Sequence, residues 1–246
     1  EGKKLLRELV SDADVFITSK LPNVRSRLGL DVSALRAVNP RLIYARACGY
    51  GSRGEDRGGF DGQCFWFRSS VAMAAARNPE RGVPFTPGMA IGDSSGALTL
   101  ATGITLAILQ RHRTGHASTV ETSLLSLGLW SQSLEIGAAL RADAPEFGKS
   151  CNPLSDVFET RDAQAVALGG RGTVGELRTL TDLIGNLDST VCFSRGEDAP
   201  LEAAQFPQLR EYLRQALKIA SLAELSAQLD RWGPPWTAVL STADAA

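Results

Sequence analysis

The sequence predicts an α/β fold: a largely parallel sheet with covering helices over residues 1–145, then a smaller α+β unit over residues 146–246. Two helix-to-strand units stand within the first 47 residues, the order that yields parallel strands joined by crossover helices. A glycine-rich segment follows the second strand, at the edge where open α/β sheets gather their ligands. After Pro145 the pattern changes to paired β-like runs followed by amphipathic helices.

Each element has a local cause. Residues 3–10 have helical spacing, with Leu5, Leu6, Leu9 and Val10 on one face, and residues 14–18 form a strand-like run after the Ser11-Asp12 break. Pro22 suits a first helical turn and Gly29 ends that helix. Asp31 is placed to N-cap the next helix, which Pro40 stops before the strand at residues 41–47. Residues 48–59 hold five glycines and four charges and read as a loop at a strand end. Residues 61–76 read as a helix, 77–88 as a second long loop, and 94–111 as the most apolar helix. Residues 115–123 contain a short strand, and 124–140 continue as helix. In the second unit, residues 154–170 resemble a hairpin around Arg161-Asp162-Ala163. Amphipathic helices follow over 174–229, and residues 236–240 are strand-like. The chain opens on Glu1 in what reads as the middle of an α/β domain, so a missing amino-terminal part is expected. The carboxyl end also reads as cut.

Composition narrows the function. At 246 residues and 43% hydrophobic, the chain can bury a sizeable core. A net charge of −1 and the lack of a basic run give no footprint for nucleic acid or an anionic membrane, which favours a small-molecule substrate. Cys48, Cys64, Cys151 and Cys192 are widely spaced, and only His112 and His116 accompany them. Buried thiols, a reducing cytoplasm and no metal site are therefore expected. Residues 97–109 are apolar but too short to cross a bilayer and carry Thr99, Thr102 and Thr105, and no signal peptide is read, so a cytoplasmic location is expected.

The stretch GMAIGDSSGALTL at residues 88–100 offers two kinds of nucleophile. Gly92-Asp93-Ser94-Ser95-Gly96 is one residue from the motif around a peptidase serine, but such a serine needs a nearby base. His112 and His116 are the only histidines, and a continuous helix would put them about 27 Å or more beyond Ser94. Asp93 has two open roles: an N-cap that satisfies free amides, or a carboxylate nucleophile held ionised in the first helical turn. Small neighbours would let a bulky ligand reach it. Phe60, Phe65, Trp66 and Phe67, on the helix after the glycine loop, read as core residues, with a ligand platform as the alternative. Lys20, Arg25 and Arg27 follow the first strand, where solvated charges or a phosphate site are both reasonable. His112 and His116 flank a helix end, where cationic side chains complement the dipole.

Several stretches together resemble the family III CoA-transferases, the group that includes formyl-CoA transferase, carnitine CoA-transferase and the α-methylacyl-CoA racemases. Residues 14–51, DVFITSKLPNVRSRLGLDVSALRAVNPRLIYARACGYG, look like that family's strand, N-F-R-P-G-V, R-L-G-L and N-P-R-L-I-Y blocks. GGFDGQ resembles its G-Y-D or G-H-D motif, and residues 87–125 resemble its P-x-x-x-x-G-D-x-x-x-G helix with the following R-x-x-T-G segment. The likeness runs from about residue 3 to 145 and is looser beyond. It implies a Rossmann-like domain, an interlocked dimer, and transfer of CoA from an acyl-CoA to a carboxylate acceptor. Asp93 would be the nucleophile, passing through an aspartyl anhydride and an aspartyl-CoA thioester. Lys20, Arg27, Gly58, Gly59, Phe60 and Asp61 would hold CoA, and no metal is implied.

The sequence also departs from the family. Phe60 stands where the racemase branch has an acid/base histidine and cannot move a proton, and that branch's second-half glutamate meets residues 170–174 instead. The glycine-rich closing loop corresponds to residues 144–153, which contain one glycine, and the N-F-R triplet reads Ser19-Lys20-Leu21. The expected activity is CoA transfer, with an acyl-CoA racemase or isomerase and a non-catalytic CoA-binding subunit as rivals. A homodimer or a completing partner chain is expected to finish the ring.

Overall fold

The structure, a computed structural model, describes residues 1–54, 57–75, 90–141, 152–185 and 196–240. The loop expected at residues 77–88, most of the closing segment at 144–153, and Cys151 and Cys192 lie outside the described residues. The chain divides into two compact units, residues 1–144 and 145–246.

The first unit begins with α1 (Gly2–Asp12) and β1 (Val15–Thr18). Val10 is buried and Leu6 packs beside it, whereas Leu5 and Leu9 are exposed. The apolar stripe expected across all four is therefore narrower, because residues 6 and 10 alone face the sheet. Next come α2 (Pro22–Leu28), with Pro22 in its first turn and Gly29 as its C-cap, and α3 (Val32–Arg36), whose N-cap is Asp31. The strand β2 (Ile43–Cys48) is central: it pairs in parallel with β1, Val15 opposite Ile43, and with β3 (Thr119–Ser123), Tyr44 opposite Thr119. Leu42, Ile43, Tyr44 and Ala45 are fully buried, as a central parallel strand requires. Each buried Leu or Ile side chain contributes about 1.5–3 kcal/mol. The Tyr44 hydroxyl donates to the Leu30 carbonyl (2.8 Å), and burial pushes its pKa up.

The helix expected at residues 61–76 is broken. A π-helical turn, Gly62–Phe67, buries Cys64, Phe65 and Trp66. The short α4 (Val71–Ala75) follows only after Ser70, whose φ is 70°. Ser69 is buried and donates its hydroxyl to the Phe65 carbonyl, which ends the turn from within.

The long helix α5 (Ile91–Thr114) covers β2 and β3. It starts three residues earlier than the sequence suggested. Ala90, in the left-handed region with φ 57°, is the N-cap, and Asp93 is the third helical residue rather than the cap. By length and mean hydropathy α5 is long and apolar enough to cross a membrane, so the stretch at 97–109 judged too short belongs to a longer helix. It packs on the sheet all the same. Near its end, Arg111 is buried, ion-paired with Asp14 and donating to the Arg41 carbonyl (2.9 Å). From β3 the chain passes into α6 (Leu124–Ser131), N-capped by the Ser123 hydroxyl, and α7 (Ser133–Ala139).

The second unit is a three-stranded antiparallel sheet, β4 (Val157–Glu159), β5 (Ala165–Leu168) and β6 (Trp236–Ala238), with β5 in the middle. Among the described residues three α-helices complete it, α8 (Val174–Ile184), α9 (Phe206–Leu217) and α10 (Leu222–Trp232). Phe158, Val166, Leu177, Leu213, Leu229 and Trp232 share one core. Capping boxes, Thr173 with Glu176 and Ser221 with Glu224, start α8 and α10. Glu176, close to where a racemase glutamate was sought, is occupied in this way: it accepts from the Gly172 and Thr173 amides and pairs with Arg171.

Candidate active site

The carboxyl ends of the parallel strands and the first turn of α5 enclose a cleft of about 440 Å³. Parallel strands end here with β2 delivering Cys48 and Gly49, β3 delivering Thr122, and α5 presenting Asp93 with Gly96, Ala97 and Leu100 beyond it. Gly58, Gly59 and Phe60 close one side, Leu21 and Leu124 add apolar surface, and Arg57 supplies a cation. Asp93 is exposed to the cleft. The first-turn amides of a helix lack partners within it and carry partial positive charge, so this position favours an anionic side chain or a developing oxyanion.

A second cleft of about 310 Å³ adjoins the first and shares Leu21, Cys48 and Arg57 with it. Its character is different: Lys20, Arg25, Arg46 and Arg57 line it, with Tyr50 and Ser52. Arg57 lies over the Tyr50 ring, 5.0 Å from its centroid. Arg46 is held by Glu121 through Nε (2.8 Å), and Glu121 also accepts the Ser52 amide (2.6 Å). Burial pushes the Glu121 carboxyl up, but the hydrogen bonds from Arg46 and Ser52 outweigh it and hold the carboxyl below its ordinary value. Burial pushes the Cys48 thiol up, offset in part by a hydrogen bond to the Gly51 backbone, so little of it is thiolate at neutral pH.

Of the residues singled out by sequence, Asp93, Gly58, Gly59 and Phe60 meet in the apolar cleft, and Lys20 lines the cationic one. Phe60 is 80% exposed, whereas Phe65 and Trp66 are core, so the aromatic cluster splits between cleft and interior. Gly59 permits close packing: a β-carbon there would strike the Cys64 sulfur and come within 2.8 Å of the Tyr50 ring. Arg27 and Asp61 line neither cleft. Arg27 is exposed on α2, and its carbonyl accepts from Lys3 Nζ (3.0 Å). Arg25 stands in the cleft instead, because positions two apart on a helix point about 200° apart. Asp61 occupies the N-cap position of the π-helical turn without a side-chain capping bond and accepts from Trp66 Nε1 (3.1 Å), while its Oδ1 is buried and has no hydrogen-bond partner among the described residues. An unpaired buried polar atom costs on the order of 1–3 kcal/mol.

Sequence reasoning missed Arg46, Arg57 and Cys48. Their only signal is position, at or just beyond the carboxyl end of the central strand. His112, near the carboxyl end of α5, and His116, just beyond it, stand far along the helix from Asp93, and Ser95 spends its hydroxyl on the Ile91 carbonyl (2.8 Å), so no serine-histidine pair forms among the described residues. Among the described residues no group of three or more metal-ligating side chains occurs.

Comparison with known proteins identifies the family and the fold. The profile of CoA-transferase family III matches residues 1–246. An acyl-CoA transferase of Fusarium pseudograminearum is 32% identical over 173 residues, covering 68% of this chain and 37% of that protein. The cinnamoyl-CoA:phenyllactate CoA-transferase of Clostridium sporogenes is 28% identical, covering 72% and 48% respectively. The chain thus spans about two-fifths to one half of these relatives. The crystal structure of Rv3272 from Mycobacterium tuberculosis superposes with a TM-score of 0.78 at 24% identity, covering 99% of this chain and 65% of that one. That of a CAIB/BAIF family protein from Brucella suis gives 0.77 at 23%, with the same coverage, so the fold is shared. Parallel sheet, glycine-rich cleft and family profile agree, and the chain belongs to CoA-transferase family III.

Proposed function

We propose that this chain carries the CoA-binding and acyl-accepting part of a CoA-transferase, with Asp93 as the nucleophile. One observation carries the proposal: a carboxylate in the first turn of α5 faces an apolar cleft that shares a wall with a cationic one. The cationic cleft suits the phosphates of CoA, with Lys20, Arg25 and Arg57 as their partners. The apolar cleft suits the thioester and acyl group.

In the proposed reaction an Asp93 oxygen attacks the thioester carbonyl, forming a mixed anhydride and releasing CoA thiolate. The thiolate attacks the aspartyl carbonyl, giving aspartyl-CoA and the free donor carboxylate. An acceptor carboxylate then attacks the aspartyl-CoA carbonyl, forming a second anhydride and expelling the thiolate. Attack of the thiolate on the acceptor carbonyl yields the new acyl-CoA and regenerates Asp93. Each step trades one activated acyl bond for another, so no external energy source is needed.

Phe60, Leu21, Ala97, Leu100 and Leu124 around Asp93 favour an aromatic or branched apolar acyl group. Phe60 has no proton to exchange, which speaks against racemisation. Exposed Leu98, Trp130, Leu134 and Leu140 support completion of this unit by a second copy or a further chain.

The test is mass spectrometry after incubation with short, branched, aromatic and dicarboxylic acyl-CoAs, seeking a hydroxylamine-sensitive adduct on the Asp93 peptide. Asp93→Asn should lose transfer and keep CoA binding. Full transfer by that variant would overturn the mechanism, binding without turnover in the unmodified protein would favour a non-catalytic subunit, and loss of an α-proton in deuterated water without any acceptor would favour a racemase.

A further inference from the structure

We propose that Asp61 is a positioning residue for Asp93: its carboxylate occupies the space that Gly92 leaves by having no β-carbon, and so fixes the first turn of α5. The inference rests on the reading that Asp93 accepts the acyl group, and it gives Asp61 a role other than contact with CoA.

Two independent observations meet at Gly92. A β-carbon there would overlap Asp61 Oδ1 and come within 2.5 Å of Phe65 Cβ, so the backbone of α5 lies directly on these two residues. Separately, Oδ1 has no solvent contact and no hydrogen-bond partner among the described residues, so hydrogen bonding does not explain its burial. The other oxygen is anchored, since Oδ2 accepts from Trp66 Nε1 (3.1 Å), and Trp66 is buried edge-on against Phe65, ring centroids 5.4 Å apart. Asp61 therefore transmits the rigidity of the aromatic core to the residue just before Asp93.

The helix start needs such a support. No side chain caps α5, and its N-cap Ala90 sits in the left-handed region, which costs a non-glycine residue free energy. Nucleophilic attack needs the Asp93 carboxylate in a near-attack position, and a displacement of about 1 Å costs on the order of a hundredfold in rate.

The experiment uses the whole chain and two probes, benzoyl-CoA and acetyl-CoA, in single-turnover acylation read as the hydroxylamine-sensitive adduct on Asp93. Hydrogen exchange of the Ser94 to Ala97 amides is read alongside. Asp61→Ala should slow acylation about a hundredfold while the acyl-CoA concentration at half-maximal rate stays within about twofold, and it should speed exchange in that turn. Asp61→Asn, which keeps the volume and the bond from Trp66, should recover most of the rate, and it guards against a fold lost in the alanine variant. Acylation and exchange at the unmodified rates in Asp61→Ala overturn the proposal. A loss confined to the half-saturating concentration also overturns it, in favour of a CoA contact. If the unmodified protein forms no adduct at Asp93, the CoA-transfer reading fails, and the exchange measurement alone decides the role of Asp61.

Discussion

Arg46 on β2 and Glu121 on β3 stand opposite each other in the parallel register and form an ion pair, and the remaining Glu121 oxygen accepts the Ser52 amide. One carboxylate thereby ties two strands and the loop beyond them into the wall of the cationic cleft. Both side chains are about three-quarters shielded, so the pair is worth more than a solvent-exposed one. Glu121→Gln should destabilise the first unit by about 1–2 kcal/mol, read as a lower thermal midpoint. The pH dependence follows from the lowered carboxyl. Its contribution is complete above the ordinary glutamate value and is lost as pH falls through the lower folded value. The Gln variant should therefore differ from the unmodified protein at neutral pH and converge with it in acid.

Arg25 and Arg27 separate two accounts of how CoA would be held in the proposed reaction. The resemblance favours Arg27, while the clefts favour Arg25, whose Nη1 also donates to the Lys20 carbonyl (3.1 Å). A charge-assisted hydrogen bond contributes about 1.5–3 kcal/mol, equivalent to roughly a ten- to hundredfold change in affinity. Arg25→Ala should weaken CoA binding by about that factor and flatten its salt dependence. Arg27→Ala should change it less than twofold, as titration calorimetry would show.

Phe60 is the exposed aromatic of the apolar cleft, so its effect should depend on the acyl group. An aromatic contact is worth about 0.5–1.5 kcal/mol, or roughly two- to tenfold in affinity. Phe60→Ala should raise the KM for an aromatic acyl-CoA by that factor and leave acetyl-CoA nearly unaffected. Equal effects on both substrates would place Phe60 in the packing of the loop instead.

Much of this was legible because its causes are local. Pro22 and Gly29 bound α2, and the sequence placed Asp93 at the start of the apolar helix, where the structure has it in the first turn of α5. What escaped is tertiary. Helical periodicity could not tell that Leu6 and Val10, rather than Leu5 and Leu9, face the sheet, since both pairs repeat every four residues. It placed Asp93 at a cap because a glycine precedes it, whereas Gly92 lies inside the helix, pressed against Asp61 and Phe65. The break after Phe67 depends on a buried serine hydroxyl turning back to the Phe65 carbonyl, a competition no sequence window records. The cations of the cleft come from separated positions, 20, 25, 46 and 57, and only folding brings them together.

Cys48 lies on the wall shared by both clefts, so its labelling should report on their occupancy. Burial raises its pKa, and the bond to Gly51 only partly offsets this, so the reactive thiolate is scarce at pH 7 and grows as pH rises through the elevated value. Iodoacetamide labelling of the Cys48 peptide, followed by mass spectrometry, should be slower at pH 7 than that of a free thiol, and its midpoint should lie above the ordinary cysteine value. Saturating CoA should protect Cys48, because a ligand spanning the two clefts must cross the wall that contains it. Arg25→Ala should remove that protection at CoA concentrations near the unmodified protein's Kd. Labelling that CoA leaves unchanged would place the ligand outside the two clefts.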